Sequence, residues 1–216
     1  MLVYIVRHGE TRSNEEGYFQ GWTDDPLNAK GITLAELTGR GMRGITFDAC
    51  FSSPLLRARQ TAEIILRESG NDSLPIKIDE RIKEANAGEW ERKKFRPGER
   101  DAVIDEQQLK LFFTDIFRFY AFPGGESVKS VCHRTQDFLK SLTKTDNSKT
   151  YLVVTHGFAL RAMLNWLYNV PEDFWHGRVP YNCATTIIEA KGDKIKIIAD
   201  DKIFYDQRLT VDLYKI

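Results

Sequence analysis

Two short runs of β-favouring residues, apolar at every position, bound what this chain can fold into: Leu2 to Val6 near the start and Tyr151 to Val154 far downstream. A strand that alternates apolar and polar residues can leave one face in water. A continuously apolar one needs cover on both faces, which an open parallel sheet supplies with helices on either side. Each run leads into a histidine and a glycine, as Arg7-His8-Gly9 and as Thr155-His156-Gly157. Such sheets bind ligands in the crevice at the carboxyl ends of their strands, so two of the four histidines are expected in one pocket.

The rest of the chain fits that frame. Residues 7 to 31 form a long polar stretch holding Tyr18, Phe19 and Trp22, which reads as a functional loop packed over the surface. Thr33 with Glu36 predicts a helix cap, and Gly39, Gly41 and Gly44 predict that helix's end. Strands are expected at 49–52 and 76–78, with a helix from Ser53-Pro54 to Ser69 between them. An aromatic helical pattern runs from 98 to 122 until Pro123-Gly124-Gly125 breaks it. Helices at 127–142 and 158–168 and a hairpin at 184–190 and 194–199 complete the pattern. The alternation predicts an α/β three-layer sandwich, a mostly parallel central sheet flanked by helices. It is expected to form one domain over residues 1–216, with a small helical insertion at about 91–126 covering the site.

Composition narrows the function. The chain has 216 residues, 42% hydrophobic, enough for one substantial core. Lysine plus arginine and aspartate plus glutamate both number 31, so no global positive field points to a nucleic-acid or membrane partner, and any anion site must be local. Cys50, Cys132 and Cys183 are odd in number and widely spaced, which argues against a disulfide framework and a zinc site. The first apolar run is too short for a signal peptide and no stretch is long enough to span a bilayer, so a cytoplasmic location is expected.

Arg7-His8-Gly9-Glu10-Thr11 with Asn14 resembles the signature of the histidine phosphatase superfamily, which includes phosphoglycerate mutases. Gly21-Trp22, Asp25-Pro26-Leu27 and Gly31 are similar to the loop that follows it. Ser52-Ser53-Pro54-Leu55 with Arg57, Ala58, Gln60, Thr61 and Ala62 is similar to the second block, and Gly124-Gly125-Glu126-Ser127 and Val154-Thr155-His156-Gly157 to the later ones. The resemblance implies a phosphoglycerate mutase-like fold and a phosphomonoesterase working through a phosphohistidine, with no metal and no cofactor. His8 is the implied nucleophile, since a neutral imidazole nitrogen attacks phosphorus near neutral pH. Arg7 and Arg57 would grip the phosphoryl oxygens through paired hydrogen bonds, and His156 would stabilise their charge. The resemblance places the acid that protonates the leaving alcohol on Glu84, with Glu89 as its competitor. Asn14, Gln20, Gly21 and the backbone from Gly157 would complete the phosphate cradle.

The remaining features divide between structure and function. His133 and His176 read as structural. The aromatic run 109–122 has core, pocket and dimer-interface readings, core first, so a homodimer is left open. Arg92, Lys93, Lys94 and Arg96 read as a solvated face, or as charges that steer an anionic substrate. The sequence departs from the family pattern at Asn28, where a threonine is usual, and at Arg92-Lys93-Lys94 after Glu91. Lys83-Glu84-Ala85-Asn86-Ala87-Gly88 lacks the mutases' tyrosine pair, which favours hydrolysis of a small phosphomonoester. Mutase-type transfer and a non-catalytic phospholigand-binding protein are the alternatives, and the substrate alcohol is open.

Overall fold

The computed structural model describes residues 1–143, 148–192 and 194–210. The expectation of one domain over 1–216 runs onto 144–147, 193 and 211–216, which lie outside the described residues. The two apolar runs form β1 (Leu2–Arg7) and β4 (Thr150–Thr155), paired in parallel at the centre of the sheet with Arg7 opposite Thr155. With β2 (Ala49–Ser52), β3 (Ile76–Ile78), β5 (Thr185–Lys191) and β6 (Lys194–Lys202) the strand order is β3-β2-β4-β1-β5-β6. The first four run parallel, while β5 is antiparallel to β1 and β6 to β5.

Successive strand residues point to opposite faces, and the core divides accordingly. Val6, Leu152 and Val154 pack with α3 (Leu56–Ser69), while Val3, Ile5, Tyr151 and Val153 pack with α6 (Val128–Thr143) and α7 (Gly157–Leu164). This two-sided burial is why neither run carries a polar residue. Each such aliphatic side chain contributes about 1.5–3 kcal/mol by leaving water. The sandwich expected from the sequence is thus the one observed.

Several boundaries differ from expectation. α2 (Ala29–Gly41) is capped by Asn28, whose side chain accepts from the Gly31 N–H, and Thr33 sits inside the helix with its hydroxyl on the Ala29 carbonyl. Asparagine at the usual threonine position therefore keeps the capping chemistry. α3 starts three residues after Ser53, which is held elsewhere. α7 stops at Leu164 and tightens into a 3₁₀ turn over Asn165–Leu167. The loop 7–31 contains a short helix, α1 (Arg12–Glu16), with a capping box at Thr11.

The insertion is helical only in α4 (Glu106–Thr114) and α5 (Ile116–Phe119), because Asp115 ends the first and caps the second. Its Phe112, Phe119 and Phe122 join Phe19, Trp90, Phe158 and Trp175 in one aromatic cluster. The three cysteines are free thiols. Among the described residues, no helix is long and apolar enough to cross a membrane.

Candidate active site

Because β1 and β4 are neighbours in register, the residues just past their ends are neighbours too: the rings of His8 and His156 lie 5.1 Å apart. The His8 Nδ1 lies 2.7 Å from the Gly9 carbonyl oxygen, which can only accept, so Nδ1 carries the proton. Its Nε2 is left with a lone pair, toward which the Arg57 Nε–H donates at 3.3 Å. Burial, and then the charges of Arg57 and Arg7, hold His8 neutral well below the ordinary imidazole value of 6.5. Its surroundings thus select one tautomer and one charge state.

His156 is wholly buried and likewise kept neutral, first by burial and then by Arg57. Its Nε2 is 2.7 Å from the Ser53 hydroxyl, and its Nδ1 has no protein partner. Arg57, also fully buried, donates through Nη2 to the Gly21 carbonyl and through Nη1 to that of Thr23. It stands beneath His8 as a fixed charge, with one N–H on each terminal nitrogen left to offer. Burial brings its pKa down to about 10, which still leaves it charged at neutral pH. Arg7 reaches the cleft wall, anchored on the Pro180 carbonyl.

The Asn14 Oδ1 accepts from the Thr11 N–H at 3.2 Å and from the Asn182 amide at 3.3 Å, which turns the NH₂ of Asn14 away from both. Gln20 bridges Thr11 and Asp25, and both Gln20 and Gly21 line the cleft. A Cβ at Gly21 would run into the Ala85 carbonyl oxygen, so only glycine lets the loop approach this closely. Gly157 lines the cleft too, but the next backbone N–H groups, of Phe158 and Ala159, are spent on Glu84 rather than on a phosphate cradle.

Glu84 opens onto the cleft while its carboxyl is enclosed by protein, accepting from the N–H groups of Ala85, Phe158 and Ala159. Burial raises its pKa above the ordinary 4.5 and outweighs those donors and Arg57. Its carbonyl oxygen accepts from Arg134 and from the Trp22 indole, so the residue is pinned by backbone as well as side chain. Glu89 is exposed, its backbone tied to Pro123, and does not line the cleft. The basic cluster is dispersed: Arg92 pairs with Asp25, Lys93 with Asp101 and Lys94 with Glu99, while Arg96 binds the Asn14 and Glu15 carbonyls.

Three supporting residues carry no signal in the sequence. Asn182 donates to the His8 carbonyl as well as to Asn14, and Arg134 bonds the carbonyls of Arg81, Lys83 and Glu84. Glu91 receives the N–H groups of Gly21, Trp22, Thr23 and Ala87 and the Thr23 hydroxyl. That one carboxylate therefore shapes the loop whose carbonyls hold Arg57. Glu91→Ala is expected to cost about 2 kcal/mol of stability and to speed amide exchange at Gly21, Trp22 and Thr23. Thermal melting and hydrogen exchange check this, and unchanged exchange at all three amides would refute it.

A neutral imidazole, an arginine and a carboxyl of raised pKa lining one cleft, with Arg57 and His156 buried behind the His8 ring rather than lining it, can transfer a phosphoryl group. Residues 3–200 match the family model of the histidine phosphatase superfamily (branch 1). The chain belongs to that superfamily. Histidine phosphatases similar to it include the adenosylcobalamin/alpha-ribazole phosphatase of Escherichia coli K12, 28% identical over 87% of this chain and 89% of that one. The probable phosphoglycerate mutase GpmB of Salmonella choleraesuis is 32% identical over 79% of this chain and 76% of its own. The structure of Bacillus stearothermophilus YhfR superposes with a TM-score of 0.84 at 30% identity, covering 94% of this chain and 97% of that one. Membership supports phosphatase or mutase activity for this histidine phosphatase.

Proposed function

We propose that this protein hydrolyses a small phosphomonoester through a phosphohistidine at His8, without a metal ion. The observation that carries the reading is the His8 ring itself: Nδ1 is committed to Gly9 and Nε2 keeps its lone pair, beside Arg57. In the first step Nε2 forms a bond to phosphorus as the ester oxygen leaves, and the protonated Glu84 carboxyl gives its proton to that oxygen. In the second, Glu84 takes a proton from water as its oxygen attacks phosphorus, the N–P bond breaks and inorganic phosphate departs. Ester plus water become alcohol plus phosphate, and both groups return to their starting states. Arg7, Arg57, the Asn14 NH₂ and His156 Nδ1 hold the phosphoryl oxygens as charge spreads over them, with Gln20, Gly21 and Gly157 forming the wall. Among the described residues, no group of three or more His, Cys, Asp or Glu is placed to hold a metal ion.

A second reading, isomerisation of phosphoglycerate, is favoured by the similarity to the Salmonella protein. A mutase must keep water from the phosphohistidine while the dephosphorylated product turns and is rephosphorylated. One experiment separates the two: incubation with a labelled phosphomonoester in excess EDTA, followed by denaturation in base. Hydrolysis predicts a base-stable, acid-labile phosphoprotein together with stoichiometric inorganic phosphate. Exchange between 2- and 3-phosphoglycerate faster than phosphate release would decide for the mutase, and loss of activity with EDTA would refute the metal-free route.

A further inference from the structure

The cleft lining is of two kinds. Arg7, His8, Asn14, Gln20 and Glu84 are polar. Phe95, Phe112, Phe113, Phe122, Phe158 and Trp175 are aromatic, and all but Phe113 also belong to the buried core. These rings touch one another, with centroids 4.8 Å apart for Phe112 and Phe113 and 5.7 Å apart for Phe158 and Trp175. The Trp175 indole N–H is spent on the Phe112 carbonyl at 2.8 Å, so the wall shows hydrocarbon rather than a donor. Among the described residues that line the cleft, Arg7 is the only lysine or arginine, and it stands at the phosphate end.

Near the cleft, Arg134, Lys83, Arg92 and Lys94 already have partners of their own. Arg134 is held by Glu126 and three carbonyls, and the Lys83 ammonium lies 3.9 Å from the centre of the Trp22 ring. Arg92 and Lys94 are paired with Asp25 and Glu99. A carboxylate or second phosphate on the alcohol would shed its water against aromatic carbon with no counter-ion, which is strongly unfavourable. A ring on the alcohol would instead gain apolar burial and edge-to-face contacts.

We infer that the alcohol half of the substrate is uncharged and apolar, an aromatic ring foremost, and that the aromatic wall is its binding subsite. The inference rests on the phosphomonoester reading above, and names the class of ester. It places phosphoglycerate and other carboxylate-bearing esters among the poor ligands.

Phosphonates, whose C–P bond is not turned over, test this by calorimetry without requiring catalysis. Phenylphosphonate is expected to bind about tenfold or more tightly than methylphosphonate, the return on burying one ring, and 2-carboxyethylphosphonate no more tightly than methylphosphonate. Phenylphosphonate binding no tighter than methylphosphonate, absent binding included, overturns the inference, as does a preference for the carboxylate. Phe113→Ser, its fold checked by melting, is expected to reduce the phenyl preference to about threefold or less while leaving methylphosphonate affinity unchanged. An undiminished preference in that folded variant removes the wall as the subsite. A phenyl preference without phosphate release from any ester would refute the hydrolase and keep the subsite, whereas release without the preference would do the reverse.

Discussion

His8→Ala is expected to lower kcat/KM for phosphate-ester hydrolysis by roughly 10⁴-fold or more and to abolish the base-stable phosphoprotein. The reason is geometric. The proposed first step needs a neutral nitrogen whose lone pair faces phosphorus, and the Gly9 carbonyl fixes that state at His8 by taking the Nδ1 proton. His156 has a different part in the proposed step: with Nε2 on the Ser53 hydroxyl, its Nδ1 is the donor to the phosphoryl oxygens rather than a second nucleophile. The substitution also leaves the Gly9 carbonyl and the Arg57 Nε without their ring partner, so a moderately lower melting temperature accompanies the loss. Steady-state kinetics, a melting curve and base-quenched labelling measure the three effects. A folded His8→Ala protein that still acquires base-stable label would move the nucleophile elsewhere.

Glu84→Gln is expected to cut kcat for alkyl phosphates by about 10²- to 10⁴-fold while costing far less with p-nitrophenyl phosphate, whose leaving oxygen departs without a proton. Glutamine keeps an oxygen for the Phe158 and Ala159 amides but neither donates nor takes the transferred proton. The second step loses its base as well, so the phosphoprotein should accumulate in the variant. The pH profile follows from the two shifts. His8 must be neutral, and its lowered pKa moves the acid limb well below 6.5. Glu84 must be protonated, and its raised pKa moves the basic limb up from 4.5. The first half-reaction therefore has its optimum between the lowered His8 value and the raised Glu84 value, falling as pH climbs through the Glu84 value. Single-turnover rates of phosphoprotein formation from an alkyl ester test this. A basic limb unchanged in Glu84→Gln would assign the acid to another group.

The sheet and the histidine pair were legible because their signals are local and repeated. A strand covered on both faces must be apolar throughout, and Leu2–Val6 and Tyr151–Val154 are. The supporting shell was not legible, for the opposite reason. Glu91 acts on backbone amides about 70 positions earlier and Asn182 on the carbonyl of a residue 174 positions away. Side-chain bonds to distant backbone leave no periodicity and demand no particular neighbour. The run 92–96 reads first as a solvated face, which suits its paired and partly exposed charges; what sequence could not give was the partner each one found once the loop folded back. Thr33 looked like a cap because Glu36 follows it at capping-box spacing, whereas Asn28 holds the Gly31 amide.

The pairing of β1 with β4 also bears on how the protein is made. Ribosomes deliver the amino end first, yet β1 has both its sheet partners, β4 and β5, more than 140 residues downstream. While the intervening segment emerges, β1 has no strand to join, and His8 has no His156 beside it. A nascent chain halted before Thr150 therefore holds neither the central ladder nor a complete cleft. Catalytic competence should arise abruptly once β4 and β5 have emerged, and β1 has a long wait, dependent on its burial in the finished sheet for protection from aggregation.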